Sequence, residues 1–257
     1  MIRRSGLGEA MSPLLIAFLC LVMVGTSFLS GVFGMAGGMI LVGVLLAIMP
    51  LPDAMALHGV TQMASNGWRG ILWIRQVRWR VIAPYVLGVA LAMLGWSFTQ
   101  WVPSKPIALL FLGVTPFLVR LLPADLHPNP VNPLQGVLYG GICTTLMLLT
   151  GVSGPLLDTF FLGGGLDRKQ IVATKAICQV FGHLAKLIYF GGLATQTAIA
   201  DPLIAAFAIA ASMLGTSLAR RVLERMSDQQ FRLWANRIIT TVAGYYVLYG
   251  GYLLVAS

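Results

Sequence analysis

The sequence predicts an all-α integral membrane protein, built as an inverted repeat of two halves. Three observations carry this expectation. The apolar stretches are continuous, about 17 to 25 residues each, the length a helix needs to cross the hydrocarbon core. The two halves carry the same glycine breaks and polar positions at a fixed offset. Basic residues gather on alternate loops, as they do on the cytoplasmic loops of multi-pass proteins.

Composition excludes most other classes. Of 257 residues, 58% are apolar and only 10% charged, with a mean hydropathy of +0.85, which removes disordered chains and soluble domains. An outer-membrane barrel would alternate apolar and polar residues, and these runs do not. Three cysteines, an odd number without metal-like spacing, make no disulfide framework. The net charge of +9 would suggest nucleic acid in a soluble protein. Here it reads as positive-inside loops, and no nucleic-acid partner is expected. Arg3 and Arg4 precede an apolar run without a small-residue cleavage site, so no cleaved leader is expected.

The elements follow in order. The first repeat spans 1–122. It opens with a hairpin over 12–49, interrupted at Gly34, Gly37 and Gly38 and closed by Pro50-Leu51-Pro52. Helices over 54–74, 81–98 and 106–122 follow. A Pro-rich linker, 123–133, divides the chain. The second repeat spans 134–257, with a hairpin over 134–165 broken at Gly151-Val152-Ser153-Gly154-Pro155 and helices over 170–190, 202–219 and 232–255. Each half is thus a Gly-broken hairpin, re-entrant or of two tilted helices, then three transmembrane helices.

An offset of 117 aligns the halves. It pairs Gly34-Met35-Ala36-Gly37 with Gly151-Val152-Ser153-Gly154, His58 with Lys175, Gln62 with Gln179, Asn66 with His183 and Arg69 with Lys186. A three-residue shift then pairs Met93-Leu94-Gly95-Trp96-Ser97 with Met213-Leu214-Gly215-Thr216-Ser217. Loop 75–80 has three arginines and its partner near 193–200 has none, while 167–169 has two bases and its partner 50–53 none. Equivalent loops therefore face opposite sides, and the repeat is inverted. On this topology the cytoplasmic side holds the bases at 75, 78, 80, 120, 168, 169, 220, 221, 225, 232 and 237, against 3, 4 and 105 outside.

Two polar stripes carry the chemistry. His58, Gln62, Ser65, Asn66 and Arg69 follow the spacing of one helical face, as do Lys175, Cys178, Gln179, His183 and Lys186. An ionisable side chain at the centre of a span costs roughly 2.5–3.5 kcal/mol even on the lenient scale, so it lines a cavity or pairs. Arg69 and Lys186 could otherwise snorkel from helix ends. The short helices that start near Gly38 and Gly154 would point free N–H groups and a partial positive charge inward, which suits an anion. Ser153 is placed to cap the second of them. Arg69, Lys175 and Lys186 are opposed by Asp158 alone, expected to pair with Lys175, with a proton-carrying coupling carboxylate as the alternative.

The expected substrate-binding set is therefore Gly37, Gly38, His58, Gln62, Asn66, Arg69, Ser153, Gly154, Lys175, Gln179, His183 and Lys186. Its ligand would be a small anion. His58 and His183 are candidates for proton coupling, another ion is an alternative coupling partner, and a homodimer is a candidate assembly. No cofactor, metal or catalytic residue is expected. The five-residue spacing of Cys178 and His183 suits no nucleophile–base pair, so the chain is not read as an enzyme. The same site without coupling would make an anion channel, and without a ligand a structural membrane subunit.

The run Gly31-Val32-Phe33-Gly34-Met35-Ala36-Gly37-Gly38-Met39-Ile40-Leu41-Val42, ending at Pro50, resembles the TauE/SafE family of sulfite exporters. The second half is similar at Gly151–Gly154 and Val172-Ala173-Thr174-Lys175-Ala176. The resemblance implies a multi-pass protein of the cell membrane that moves sulfur-containing anions such as sulfite, sulfonates or sulfoacetate by alternating access, without ATP. The chain departs from the family's fuller glycine run at Met35-Ala36.

Overall fold

A computed structural model describes residues 12–34, 36–121, 128–162, 165–193 and 202–256. Arg3 and Arg4, Met35, residues 123–127 of the Pro-rich linker and most of the loop at 193–200 lie outside the described residues. Ten α-helices and no strand occur among those described. They are α1 (Pro13–Phe33), α2 (Ala36–Ile48), α3 (Leu51–Leu72), α4 (Trp79–Thr99), α5 (Lys105–Arg120), α6 (Pro133–Thr150), α7 (Gly154–Leu162), α8 (Arg168–Ile188), α9 (Pro202–Arg225) and α10 (Asp228–Val255). A 3₁₀ turn, Ile74–Gln76, follows α3, and α8 runs into a π-helical turn, Tyr189–Leu193.

Local chemistry sets the helix ends. Pro133 opens α6, and Oδ1 of the preceding Asn132 accepts from the N–H groups of Leu134 and Gln135. Asp167 does the same for Lys169 and Gln170 at 2.9 and 3.0 Å. Ser227 and Gln230 form a capping box at the start of α10. α1 and α6 each stop at a glycine of positive φ, Gly34 at +80° and Gly151 at +83°. That backbone suits glycine because it has no β-carbon to collide with the chain.

Six helices are long and apolar enough to cross a membrane: α1, α4, α6, α8 with its π turn, α9 and α10. Their outward faces carry exposed leucines such as Leu21, Leu91, Leu138, Leu214 and Leu248, a surface that lipid covers without cost. α3 has the length, but its polar face lowers its hydropathy. α2 and α7 are short, and each sits inside one of two apolar clusters. Met39, Leu41, Val42, Leu45 and Leu46 of α2 join Leu109, Leu112 and Tyr246. Leu157, Phe160 and Phe161 of α7 join Val81, Ile82, Tyr85 and Cys143.

The principal helix pairs are α1 on α9, α4 on α6, α5 on α10 and α3 on α8. Small residues allow the close crossings. A β-carbon at Gly88 would sit 2.0 Å from the carbonyl oxygen of Val137, and one at Gly215 would sit 2.3 Å from that of Val24. Gly95, by contrast, faces open space. The two copies of the Met-Leu-Gly pentad therefore do not stand in equivalent surroundings, and it is Gly88 that meets α6 as Gly215 meets α1.

A buried polar site at the crossing of α3 and α8

α3 and α8 run antiparallel. Gly59 lies against the carbonyl of His183 and the side chain of Leu187, whereas Gly70, three turns on, lies against Ile177. Because both polar stripes face this crossing, His58, Gln62, Ser65, Asn66 and Arg69 are buried together with Lys175, Cys178, Gln179, His183 and Lys186. Lys186 has no exposed surface and Arg69 is 6% exposed, so neither snorkels to an aqueous edge.

The crossing divides the charged residues into two groups. The first surrounds Lys186. Its Nζ donates to the carbonyl of Gly151 at 3.0 Å and meets Nδ1 of His58. His58 in turn donates from Nε2 to the carbonyl of Gly38 at 2.9 Å. The ring of His183 stands edge-on to that of His58, with centroids 5.5 Å apart. Gln62 borders Gly38, a β-carbon there lying 3.4 Å from Gln62 Oε1. The first group therefore joins the glycine break of one half to the glycine break of the other.

The second group lies toward the other end of the same two helices. Lys175 Nζ donates to Asp158 of α7, which forms the ion pair expected from the sequence. Asp158 also acts electrostatically on the Arg69 guanidinium. Lys175 borders the first break, since a β-carbon at Gly34 would lie 3.2 Å from its Nζ.

Many polar atoms at the crossing are buried without a hydrogen-bond partner in the protein. They are Gln62 Nε2, Asn66 Nδ2, Arg69 Nε and Nη2, Ser153 Oγ, Gln179 Oε1 and His183 Nδ1. Leaving such atoms unsatisfied costs about 1–3 kcal/mol each, and most of these are donors. Ser153 does not cap α7, because its hydroxyl makes no bond; Thr150 instead closes the turn by bonding both N–H and C=O of Val152. Gly37 packs tightly on α1, where a β-carbon would lie 1.7 Å from the carbonyl of Thr26. Gly154 is the first residue of α7.

Sequence reasoning missed the hydroxyls of Ser27 and Ser30 on α1 and Thr144 on α6, which are also buried and unpartnered. Their signal was small polar residues on otherwise apolar helices. Among the described residues, no three His, Cys, Asp or Glu side chains gather as a metal site.

The model of the sulfite exporter TauE/SafE family matches residues 17–246, which contain the whole crossing. The chain belongs to this family. It is a multi-pass membrane protein, and TauE/SafE membership sets it among transporters rather than enzymes. No curated protein and no solved structure matches the chain.

Proposed function

We propose that this TauE/SafE protein is an inverted-repeat secondary transporter that carries a small sulfur-containing anion, sulfite or an organosulfonate, by alternating access. The observation that carries the reading is Lys186. Its amine is wholly buried, and its protein partners, His58 Nδ1 and the Gly151 carbonyl, are neutral. A buried ammonium without a carboxylate is costly, and a bound anion offsets that cost. The unpartnered donors of Gln62, Asn66, Arg69 and Ser153 supply hydrogen bonds to an oxyanion.

The helix pairing supports the inverted repeat. Exchanging α1–α5 for α6–α10 turns the pair α1·α9 into α6·α4 and α2·α10 into α7·α5, and leaves α3·α8 and α5·α10 as themselves. Both self-paired sets are antiparallel, which fits a two-fold axis lying across the helices. In the second set Gly113 meets Ala243 and Val247, and Gly250 meets Leu110 and Pro106. Ser27 and Thr144, both with unpartnered buried hydroxyls, are also related by the offset of 117.

His58 and Arg69 lie eleven residues apart on α3, about 16 Å along the axis, so one small anion cannot touch both groups. The anion is held at Lys186, His58, His183, Gln62 and the N-terminal turn of α2 at Gly37 and Gly38. It passes Asn66 and Gln179 toward Arg69 and Lys175 at the other end of the crossing, and Ser153 and Gly154 at the start of α7 complete the proposed set. Rocking of one repeat against the other exposes these ends in turn.

Uptake of radiolabelled sulfite and of a labelled sulfonate into proteoliposomes tests this. The expected result is saturable uptake, stimulated by the same anion on the far side and lost in Lys186→Met. Flux that never saturates would argue for a channel, and no flux above empty liposomes with folded protein would end the reading.

A further inference from the structure

We infer that His58 is a proton-binding site coupled to the anion, so that one proton crosses with each anion. The inference rests on the reading of the Lys186 group as an anion site and adds a second, co-transported ion to it.

With Lys186 as the ammonium of the anion-site reading, the hydrogen bonds set the state of His58. Its Nε2 faces the carbonyl oxygen of Gly38, which only accepts, so Nε2 carries a hydrogen. Its Nδ1 faces the amine of Lys186, and an ammonium only donates, so Nδ1 offers its lone pair. The ring is therefore neutral, and a proton can add only at Nδ1. There it removes an acceptor from Lys186 and sets two positive charges side by side. Lys186 keeps its bond to the Gly151 carbonyl.

The surroundings make that proton conditional on an anion. The groups facing His58 are Lys186 and His183 from α8, the Gly38 carbonyl from α2 and, through Lys186, the Gly151 carbonyl between α6 and α7. Its charged and titratable neighbours are Lys186 and His183. The Lys175–Asp158 pair and Arg69 belong to the other end of the crossing. With no anion, a second positive charge is opposed by Lys186 alone. With an anion present, Lys186 and a protonated His58 together match a doubly charged species. By linkage the anion raises the proton affinity of His58, and the proton raises the affinity for the anion by the same factor.

The same proton acts on shape. The relay from Gly38 through His58 and Lys186 to Gly151 ties the two glycine breaks, and protonation cuts it at Nδ1. Proton balance is simple: the proton enters Nδ1 from water on one face and leaves to water on the other. Lys186 stays an ammonium, and the anion is unchanged. His183, with its own Nδ1 unpartnered, offers a nearby acceptor for the departing proton.

The test is isothermal titration of the full-length protein in detergent with sulfoacetate, which does not titrate near neutrality, and with sulfite, from pH 6 to pH 8.5. The expected result for the wild type is a Kd that tightens with falling pH, approaching about tenfold per unit, as one coupled proton requires. Proton uptake, read from buffers of different ionisation heat, should be greater than in His58→Gln. That comparison also removes the titration of sulfite itself, because it is common to both proteins. A wild-type Kd for sulfoacetate that is flat with pH, or equal uptake in the two proteins, overturns proton coupling and leaves the anion site standing. Binding of sulfite but not sulfoacetate moves the decision to the difference in uptake. No binding of either probe by folded wild type removes the anion site and this inference with it.

Discussion

The amine of Lys186 meets Nδ1 of His58, a residue 128 positions away, at a point where neither side chain touches solvent. The contact exists because α3 and α8 cross antiparallel, which sets the start of one polar stripe against the end of the other. It sets a lysine amine among neutral groups inside a membrane protein.

On the proposed function, a lysine ammonium kept there for an anion trades stability for binding. Replacing a buried ion pair by apolar side chains of similar volume is often neutral or stabilising by about 1–4 kcal/mol. Losing the lone amine of Lys186 removes its desolvation cost, which offsets the roughly 1–3 kcal/mol each of leaving His58 Nδ1 and the Gly151 carbonyl without a donor. Without added anion, Lys186→Met should therefore unfold at the same temperature as wild type or higher, by thermal denaturation in detergent. Marked destabilisation would show that Lys186 is a structural strut.

The Lys175–Asp158 pair should behave in the opposite way. Asp158→Asn strands Lys175, and the expected loss is about 1–3 kcal/mol, below the figure for a fully buried pair because the Asp158 side chain is 37% exposed. The double variant Asp158→Asn/Lys175→Met should recover most of it. Additive losses in the double-mutant cycle would contradict a direct pair.

Two glycines on α4 provide a matched test of the packing. Gly88→Ala puts a methyl 2.0 Å from the Val137 carbonyl and should cost about 1–3 kcal/mol by overpacking. Gly95→Ala meets nothing within 4 Å and should gain up to about 1 kcal/mol from helix propensity. Similar midpoints for the two variants would refute the close crossing of α4 on α6.

Topology is open to labelling. In a background without native cysteines, Gln76→Cys and Lys169→Cys should react with an impermeant thiol reagent from the cytoplasmic side only. Asp53→Cys and Ser104→Cys should react only from outside. Labelling of Asp53→Cys and Lys169→Cys from the same side would rule out the inverted arrangement.

The helical membrane class was legible because continuous apolar runs and few charges admit little else. The breaks at Gly34 and Gly151 were legible as well, since clustered glycines inside an apolar run mark where a helix can stop. The stripes from His58 to Arg69 and from Lys175 to Lys186 showed which residues share a face. What the sequence could not reveal was which stripe residue meets which. His58 with Lys186, and Arg69 near Asp158, are products of one crossing between distant helices, and no local periodicity encodes its register. The pentad meets the same limit: Gly95 and Gly215 look alike in sequence, but only Gly215 lies in a helix interface. Ser27, Ser30 and Thr144 escaped because isolated hydroxyls on apolar helices usually bond their own backbone.

The central claim is that Lys186 anchors an anion. The most direct measurement is the unfolding midpoint of the full-length protein in detergent against millimolar sulfite, sulfoacetate, thiosulfate, sulfate, acetate and chloride, for wild type and Lys186→Met. A ligand that binds the native state raises the midpoint by mass action. The account predicts a rise with sulfite or a sulfonate, larger than with acetate or chloride, and absent in Lys186→Met. An equal rise in both proteins, or none with any anion for well-folded wild type, would contradict it.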